Sequence, residues 1–384
     1  MTGTEMPPLM ATEFLVRCAD VFAEYFESCS AMSLRSHFVT VYQLLEEMVD
    51  SGMPTTTETN ILKELIPPPT VVSRLNGVMG GGVPAAAVLP HGGGGGSAVP
   101  WRRADCRYSN NEIFFDVVEA VDATLDSEGR LLAGGVYGEV HTVARLSGMP
   151  DLTLTFANSG LLDDVRFHPC VRYARFAADR VLSFVPPDGP CKLMSYKVRD
   201  PPTPMGGRGM MGAVPPLPLP LYVKPQFSFS EASGRISLMV GPRMDMRKPV
   251  EGIVIRVPLP VCVASIDVQA NHGGVGYDEK SKVILWDLGS IPKDRTPILS
   301  GVLQLDRSRT GDFGEVGGGG VVDAATAKNK MLWDEALSIE VSFKVFGANV
   351  SGLSVDALHL VNEQYKLYKG VRYTTMSGRF VVRV

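Results

Sequence analysis

The stretch Asn111-Glu-Ile-Phe-Phe-Asp-Val-Val-Glu119 decides how this chain folds. Its β-branched and aromatic residues suit a pleated strand, and the two-residue period of a strand puts Phe114 and Asp116 on one face. A ring beside a lone carboxylate can seat a phenol: the ring stacks and the carboxylate accepts the hydroxyl proton. An ordinary surface acid next to a packed ring is the plainer reading of the same two residues. The alternation returns downstream. Leu337, Ile339, Val341, Phe343 and Val345 alternate with Ser338, Glu340, Ser342 and Lys344, and residues 253–257 and 283–286 are further strand candidates. Ser377-Gly378, between residues 370–375 and 379–384, is expected to turn a hairpin. Many short strands with Gly and Pro turns, from Trp101 onward, predict a predominantly all-β fold of antiparallel sandwich type.

Upstream the periodicity is helical. Phe14, Leu15, Cys18, Val21, Phe22, Tyr25 and Phe26 form one stripe; Val41, Leu44, Leu45, Met48 and Val49 form a second, stopped by Gly52 and Pro54. Thr55, with Glu58 three residues on, has the form of a capping box opening a short third helix that carries Ile61, Leu62, Leu65 and Ile66. Residues 67–99 open with Pro67-Pro-Pro69 and are dominated by glycine runs, so they are expected to be a flexible linker. No Gly-Lys-Ser/Thr follows those glycines, which excludes a P-loop. Residues 205–220, ending in Pro215-Pro-Leu-Pro-Leu-Pro220, and the glycines at 317–320 read as surface insertions, the proline run being alternatively a polyproline II ligand.

A chain of 384 residues has room for two or three domains, and 45% hydrophobic with 20% charged residues places it among globular proteins. Its net charge of −4 gives no footing for a nucleic-acid partner. The charge is uneven: residues 1–66 hold ten acids and three bases, −7, against +3 for the remainder. A solvated helix surface accounts for this; an acidic part facing another subunit, with a mildly basic remainder near anionic lipid, is the other reading. Cys18, Cys29, Cys106, Cys170, Cys191 and Cys262 are scattered without a C-x-x-C pair, so they are expected to be free thiols rather than zinc ligands or a disulfide framework. No two histidines have metal-ligand spacing and no G-x-S-x-G occurs, so no metal, cofactor or catalytic residue is expected. Cys170, two residues from His168, reads as a packed strand cysteine rather than a nucleophile. No signal peptide and no run of about 18 apolar residues is evident, so membrane association is expected to be peripheral.

Several blocks follow one another in fixed order: Trp101-Arg-Arg103, the strand 111–119, Leu146-Ser-Gly-Met-Pro150, Phe167-His-Pro-Cys-Val171 and Ser183-Phe-Val-Pro-Pro-Asp-Gly189. This series resembles the medium (mu) subunits of clathrin-type adaptor complexes, over nearly the whole chain. Asn60-Ile-Leu-Lys-Glu-Leu-Ile66, Leu161-Leu-Asp-Asp-Val165 and Lys369-Gly-Val-Arg-Tyr373 look most like the adaptor protein complex three branch of that family. The resemblance implies a mu homology domain over residues 100–384, made of two antiparallel β-sandwich subdomains with one inserted in the other near 200–348. It also implies that residues 1–66 are the helical part of a longin-type α/β domain whose sheet is missing here. Helices without that sheet would expose apolar surface, so the expectation is a truncated gene model.

The resemblance further implies a non-enzymatic cargo-recognition subunit, assembled with two large adaptor subunits and one small subunit. It would act at the cytoplasmic face of Golgi, endosomal and coated-vesicle membranes, on cytosolic tails of membrane cargo carrying Tyr-x-x-Ø signals, where Ø is a bulky apolar residue. Such peptides dock extended beside an edge strand. Carried over residue by residue, Phe114 lies against the tyrosine ring, Asp116 accepts the phenol hydrogen, and Arg372 packs on the tyrosine and extends the hydrogen-bond network. Phe115, Val355, Leu358 and Val371 match the lining of the Ø pocket. Val355 and Leu358 are three apart, so a bulge or bend is expected between them. Gly370 and Val143 stand where the plasma-membrane relative has a tryptophan and a lysine, with Arg145 close by; the implied effect is weaker or retuned binding. A mu homology scaffold of another adaptor or coat complex that does not read tyrosine signals is the alternative.

Overall fold

The computed structural model describes residues 7–66, 68, 99, 101–199, 217, 219–229, 233–243, 248–260, 262–291, 295–305 and 338–384. The expected linker at 67–99, the proline-rich stretch and the glycines at 317–320 lie wholly or largely outside these residues.

Strands dominate from Glu112 onward. Numbered in chain order, nine form one sheet in the order β13 (Gly274–Asp278), β14 (Val283–Gly289), β11 (Val250–Pro258), β16 (Ser338–Phe346), β18 (Tyr368–Arg383), β3 (Glu112–Leu125), β4 (Leu131–Arg145), β8 (Gly189–Val198), β6 (Leu162–Phe167). A four-stranded sheet runs β12 (Val263–Ala270), β15 (Ile298–Leu305), β10 (Ser233–Pro242), β9 (Leu221–Phe229). A three-stranded sheet runs β17 (Val355–Val361), β5 (Asp151–Phe156), β7 (Leu182–Phe184). All described pairings are antiparallel except one, β18 with β3, whose partners are about 250 positions apart in sequence.

Two β-cores hang from the large sheet, and its long central strands feed both. Ile113, Phe115 and Val117 of β3 pack with Phe176, Phe184 and Leu358 in one core. Val121, Ala123 and Leu125 of the same strand pack with Trp286, Phe343 and Phe380 in the other. The period-two alternation of β3 thus buries one face along its whole length and leaves the other partly exposed.

The helical part comprises α1 (Pro8–Phe26), α2 (Ala31–Ser36), α3 (Phe38–Met48) and α4 (Thr59–Leu65), with the short pair β1 (Val49–Asp50) and β2 (Met53–Pro54) between α3 and α4. Val21, Phe22, Tyr25, Leu44, Met48 and Leu62 form its own small core. Its outer side presents Leu15, Met32, Phe38 and Tyr42 to solvent.

Two local expectations fail, both because distant groups overrule a local signal. Ser377-Gly378 turns no hairpin: β18 runs straight through it, with a register shift against β3 between Ser377 and Phe380. The Asp122 carboxylate of β3 accepts from the Arg379 amide at 2.7 Å and lies so close to Gly378 that any Cβ there would collide with it. The glycine therefore accommodates a bulge, not a turn. The capping box is also absent. α4 starts at Thr59, and Thr55 donates its hydroxyl to the Glu47 carbonyl instead. Glu58, just ahead of α4, extends its carboxylate to His168 Nε2 at 2.8 Å. His168 Nδ1 accepts the Cys170 amide, so the hydrogen lies on Nε2 and is donated to Glu58. Asn60 adds a hydrogen bond to the Trp101 carbonyl, and together these contacts seat the helical part on the β-structure.

Candidate functional site

The blocks that carried the family resemblance meet in space. Arg102, almost fully buried, donates to the carbonyls of Gly148, Leu146 and Pro186, while Trp101 Nε1 donates to the Val185 carbonyl at 2.9 Å. Asn111 fixes the start of β3: its side chain accepts the Ser147 amide and its carbonyl accepts the Tyr368 amide. One buried guanidinium and one amide side chain thereby bind three loops to the ends of β3, β4 and β18. An unpaired buried guanidinium would be costly, so these loops cannot easily drift.

On the outer face above that base, the parallel register sets Gly370 beside Phe114 and Arg372 beside Asp116. Arg372 donates Nε to Asp116 Oδ1 at 2.8 Å and Nη2 to Oδ2 at 2.6 Å, a bidentate pair. Phe114 stays 45% exposed, unusual for a phenylalanine in a central strand, and its ring leans over Gly370. A Cβ on Gly370 would stand 2.8 Å from Phe114 Cδ1, so the glycine is what lets the ring lie there. The aromatic, the acid and the guanidinium expected to form the tyrosine side therefore converge and remain reachable by solvent.

Of the residues matched to the Ø side, Phe115 and Val371 lie on the other face of the same two strands, and Val355 and Leu358 lie on β17. Val371 is paired with Phe115. Phe115 is 1% exposed and Leu358 6%, both in one core cluster with Val355 packed against it, whereas Val371 is 39% exposed. The bulge expected between Val355 and Leu358 is present: Val355 pairs with Phe156 and Ala357 with Thr155, leaving Asp356 extra. Val355 donates its amide to the Tyr373 hydroxyl at 2.9 Å, and Lys369 Nζ reaches the Leu358 carbonyl at 3.0 Å, which ties β17 to this stretch of β18.

β18 is paired on both sides only from Thr374 onward, where β16 joins it. Among the described residues, Tyr368–Arg372 pair with β3 alone. This half-strand is an open edge, and it lies between the two sets of residues just described.

Cys170 is buried, desolvation pushes its thiol well up, and its amide serves His168, so it supplies no thiolate nucleophile. Among the described residues no cluster of three or more metal-ligating side chains occurs, and no helix is long and apolar enough to cross a membrane.

Residues 99–384 match the profile of the adaptor complexes medium subunit family. The chain belongs to that family. It is 40% identical to "AP-3 complex subunit mu-1" of Gallus gallus, over 99% of this chain and 83% of the relative. It is 39% identical to the Homo sapiens protein of the same name over the same shares, and 42% identical to "AP-3 complex subunit mu" of Arabidopsis thaliana, with 82% of that relative covered. Among solved structures it is similar to a chain of a homology model of the full-length AP-3 complex in an intermediate open conformation, with a TM-score of 0.56 at 16% identity, covering 100% of this chain and 83% of that one. It also matches the yeast delta-COP-I mu-homology domain, with a TM-score of 0.50 at 13% identity, over 72% of this chain and all of that one. These likenesses establish a mostly β mu homology fold preceded by helices.

Residues that sequence reasoning missed stand on the neighbouring strand of this medium-subunit chain. Arg145 is tied to Glu112 at 3.2 Å and shares the face of Asp116, but it stands four positions along β4 from the residue opposite that acid. The β4 residue directly opposite Asp116 is His141, hydrogen-bonded through Nε2 to Glu139 at 2.9 Å. Glu139 also meets Lys192 Nζ at 3.4 Å, and the His141 hydrogen bond, ahead of Lys192, holds its carboxyl down to about 2 against the opposing effect of burial. Register counted back from the Leu125–Leu131 pair at the turn would set 140 opposite 116; a register shift between Thr124 and Leu125 brings His141 there instead, so no local signal could have found it.

Proposed function

We propose that this chain is the cargo-recognition subunit of a multi-subunit adaptor complex in vesicle-mediated transport, and that it binds Tyr-x-x-Ø signals by β-augmentation on the open edge Tyr368–Arg372. The observation that carries this reading is the bidentate Arg372–Asp116 pair beside the exposed Phe114 ring, next to a half-strand with a free edge. A peptide strand added there directs alternate side chains to opposite faces. One face offers the tyrosine Phe114, Asp116 and Arg372. The other offers the Ø residue Val371 and Val355 first, with Phe115 and Leu358 as the apolar floor behind them.

The names of the relatives, subunits of an AP-3 complex, support assembly with two large subunits and one small subunit. The same family membership supports a site of action at the cytoplasmic face of Golgi, endosomal and coated-vesicle membranes, in peripheral contact with the bilayer. Docking a short flexible peptide costs ordering entropy, so the single-signal affinity is about micromolar, and clustering on a membrane raises it by avidity.

The test is calorimetric titration of the full chain with a Tyr-x-x-Leu peptide. Wild type binds, and Asp116→Ala loses capture while its melting curve is unchanged. Unchanged affinity in Asp116→Ala would leave only the alternative, a mu homology scaffold that does not read tyrosine.

A further inference from the structure

Four charged or titratable side chains form a row across the outer face of the large sheet. The register places Arg372 opposite Asp116, Asp116 opposite His141, and His141 opposite Lys192. Directly opposed residues share a face, with Cβ atoms about 4.5–5.5 Å apart. Asp116 is thus flanked by a guanidinium on the β18 side and an imidazole on the β4 side. The other β4 residue facing this point is Val143, opposite Phe114, which has no hydrogen-bonding atom to offer.

The hydrogen bonds of the row fix one nitrogen of His141. A carboxylate only accepts, so His141 Nε2 carries the hydrogen it gives to Glu139. No hydrogen bond among the described residues engages His141 Nδ1, and the side chain is 42% exposed. Nδ1 is therefore a lone pair in the neutral ring and a second N–H donor in the protonated ring. A phenol has one hydrogen to give and two lone pairs to receive. Once Asp116 takes the hydrogen, a neutral His141 only competes for it, whereas a protonated His141 donates to the phenol oxygen.

We infer that His141 is a further specificity-determining residue of the tyrosine seat, acting through Nδ1 as a donor to the phenol oxygen from the β4 side. This rests on the tyrosine-signal reading above and deepens it. Protonation of His141 then raises affinity for tyrosine and leaves phenylalanine indifferent. The charged groups that face it are Asp116 on β3, Glu139 on β4, Lys192 on β8 and Arg372 on β18. From the helical part, Arg17, Asp20, Glu24 and Glu58, with His168, line a cleft of about 340 Å³ that His141, Glu139 and Lys192 share. Histidine is the side chain whose charge changes between about pH 5 and pH 8, which makes the effect measurable.

The experiment titrates the full chain with acetylated, amidated Tyr-x-x-Leu and Phe-x-x-Leu peptides that have no group titrating in this range. Wild type, His141→Phe and His141→Gln are each measured at about pH 6 and about pH 8. Wild type is expected to prefer Tyr over Phe about threefold or more strongly at the lower pH, a difference of the size one hydrogen bond supplies. Both variants lose that pH dependence while still binding Tyr-x-x-Leu, and the Gln variant confirms the result if the Phe variant is misfolded. A wild-type preference that is flat with pH overturns the inference, as does a pH dependence that survives in either variant. If wild type shows no preference for Tyr at either pH, and Asp116→Ala binds as wild type does, the tyrosine seat itself is overturned. A preference that is flat with pH but abolished in Asp116→Ala overturns only the role of His141.

Discussion

Arg372 meets Asp116 through two hydrogen bonds, of 2.8 and 2.6 Å, between neighbouring residues of the chain's one described parallel strand pair. The Arg372 side chain is 72% exposed and that of Asp116 33%, so the pair contributes only about 0–1 kcal/mol to folding. Its fixed geometry is what serves recognition. Arg372→Lys keeps the charge but loses the planar fork. The melting temperature is expected to stay within about 2–3 °C of wild type. Affinity for Tyr-x-x-Leu is expected to fall by about tenfold, one lost charge-assisted hydrogen bond, as measured by calorimetry.

Gly370 gives the Phe114 ring its place. Alanine puts a Cβ 2.8 Å from Phe114 Cδ1, and the exposed ring can swing away rather than break the sheet. Gly370→Ala should therefore fold normally but bind Tyr-x-x-Leu several-fold more weakly, because the stacking wall has moved. Fluorescence anisotropy with a labelled peptide checks this, and equal affinity would show that the ring position is immaterial.

Glu119 ties β3 to the segment before β17. It is fully buried and accepts from the Tyr196 hydroxyl at 3.1 Å, the Ser351 amide at 3.0 Å and the Ser351 hydroxyl. Burial pushes its carboxyl up, outweighing those hydrogen bonds, which favour the ionised form. A pKa raised by folding means that the protonated group carries the stability. That contribution is full below the unfolded value of about 4.3 and is lost as pH rises through the higher folded value. Glu119→Gln cannot titrate, so melting temperature against pH should fall less steeply in the variant than in wild type above about pH 4. Parallel curves would contradict this. Glu139, held down to about 2, has the opposite sign and loses its contribution only as pH falls toward that value.

The seat of the helical part depends on Glu58. Removing its carboxylate leaves the buried His168 Nε2 hydrogen without an acceptor, a loss of about 1–3 kcal/mol. Glu58→Ala should lower the melting temperature and speed amide exchange in α4, whereas Glu58→Gln, which keeps an acceptor oxygen, should restore most of both. Hydrogen exchange followed by mass spectrometry distinguishes the two variants.

Much of this site was legible in the sequence because strand periodicity is local. Alternation set Phe114 and Asp116 on one face, whereas the bulge now found at Asp356 was expected only because the resemblance put Val355 and Leu358, three apart, in one pocket. What joins Arg372 to Asp116 is a parallel pairing across about 250 positions, which no local pattern encodes, so the guanidinium was reached through family resemblance alone. The two failures have the same origin. Ser377-Gly378 carries a turn signal, but the Asp122 carboxylate claims the Arg379 amide. Thr55 and Glu58 carry a cap signal, but the buried imidazole of His168 claims the glutamate. His141 escaped notice because its meaning lies in register with Asp116, not in its own neighbours.

The most direct measurement is a crystal structure of the chain bound to a Tyr-x-x-Leu peptide. The peptide should lie as an added strand along Tyr368–Arg372, with its phenol oxygen about 2.6–3.0 Å from the Asp116 carboxylate and its leucine against Val371 and Val355. A peptide seated elsewhere, or one whose tyrosine leaves the Arg372–Asp116 pair untouched, would contradict the assignment of this edge as the cargo reader.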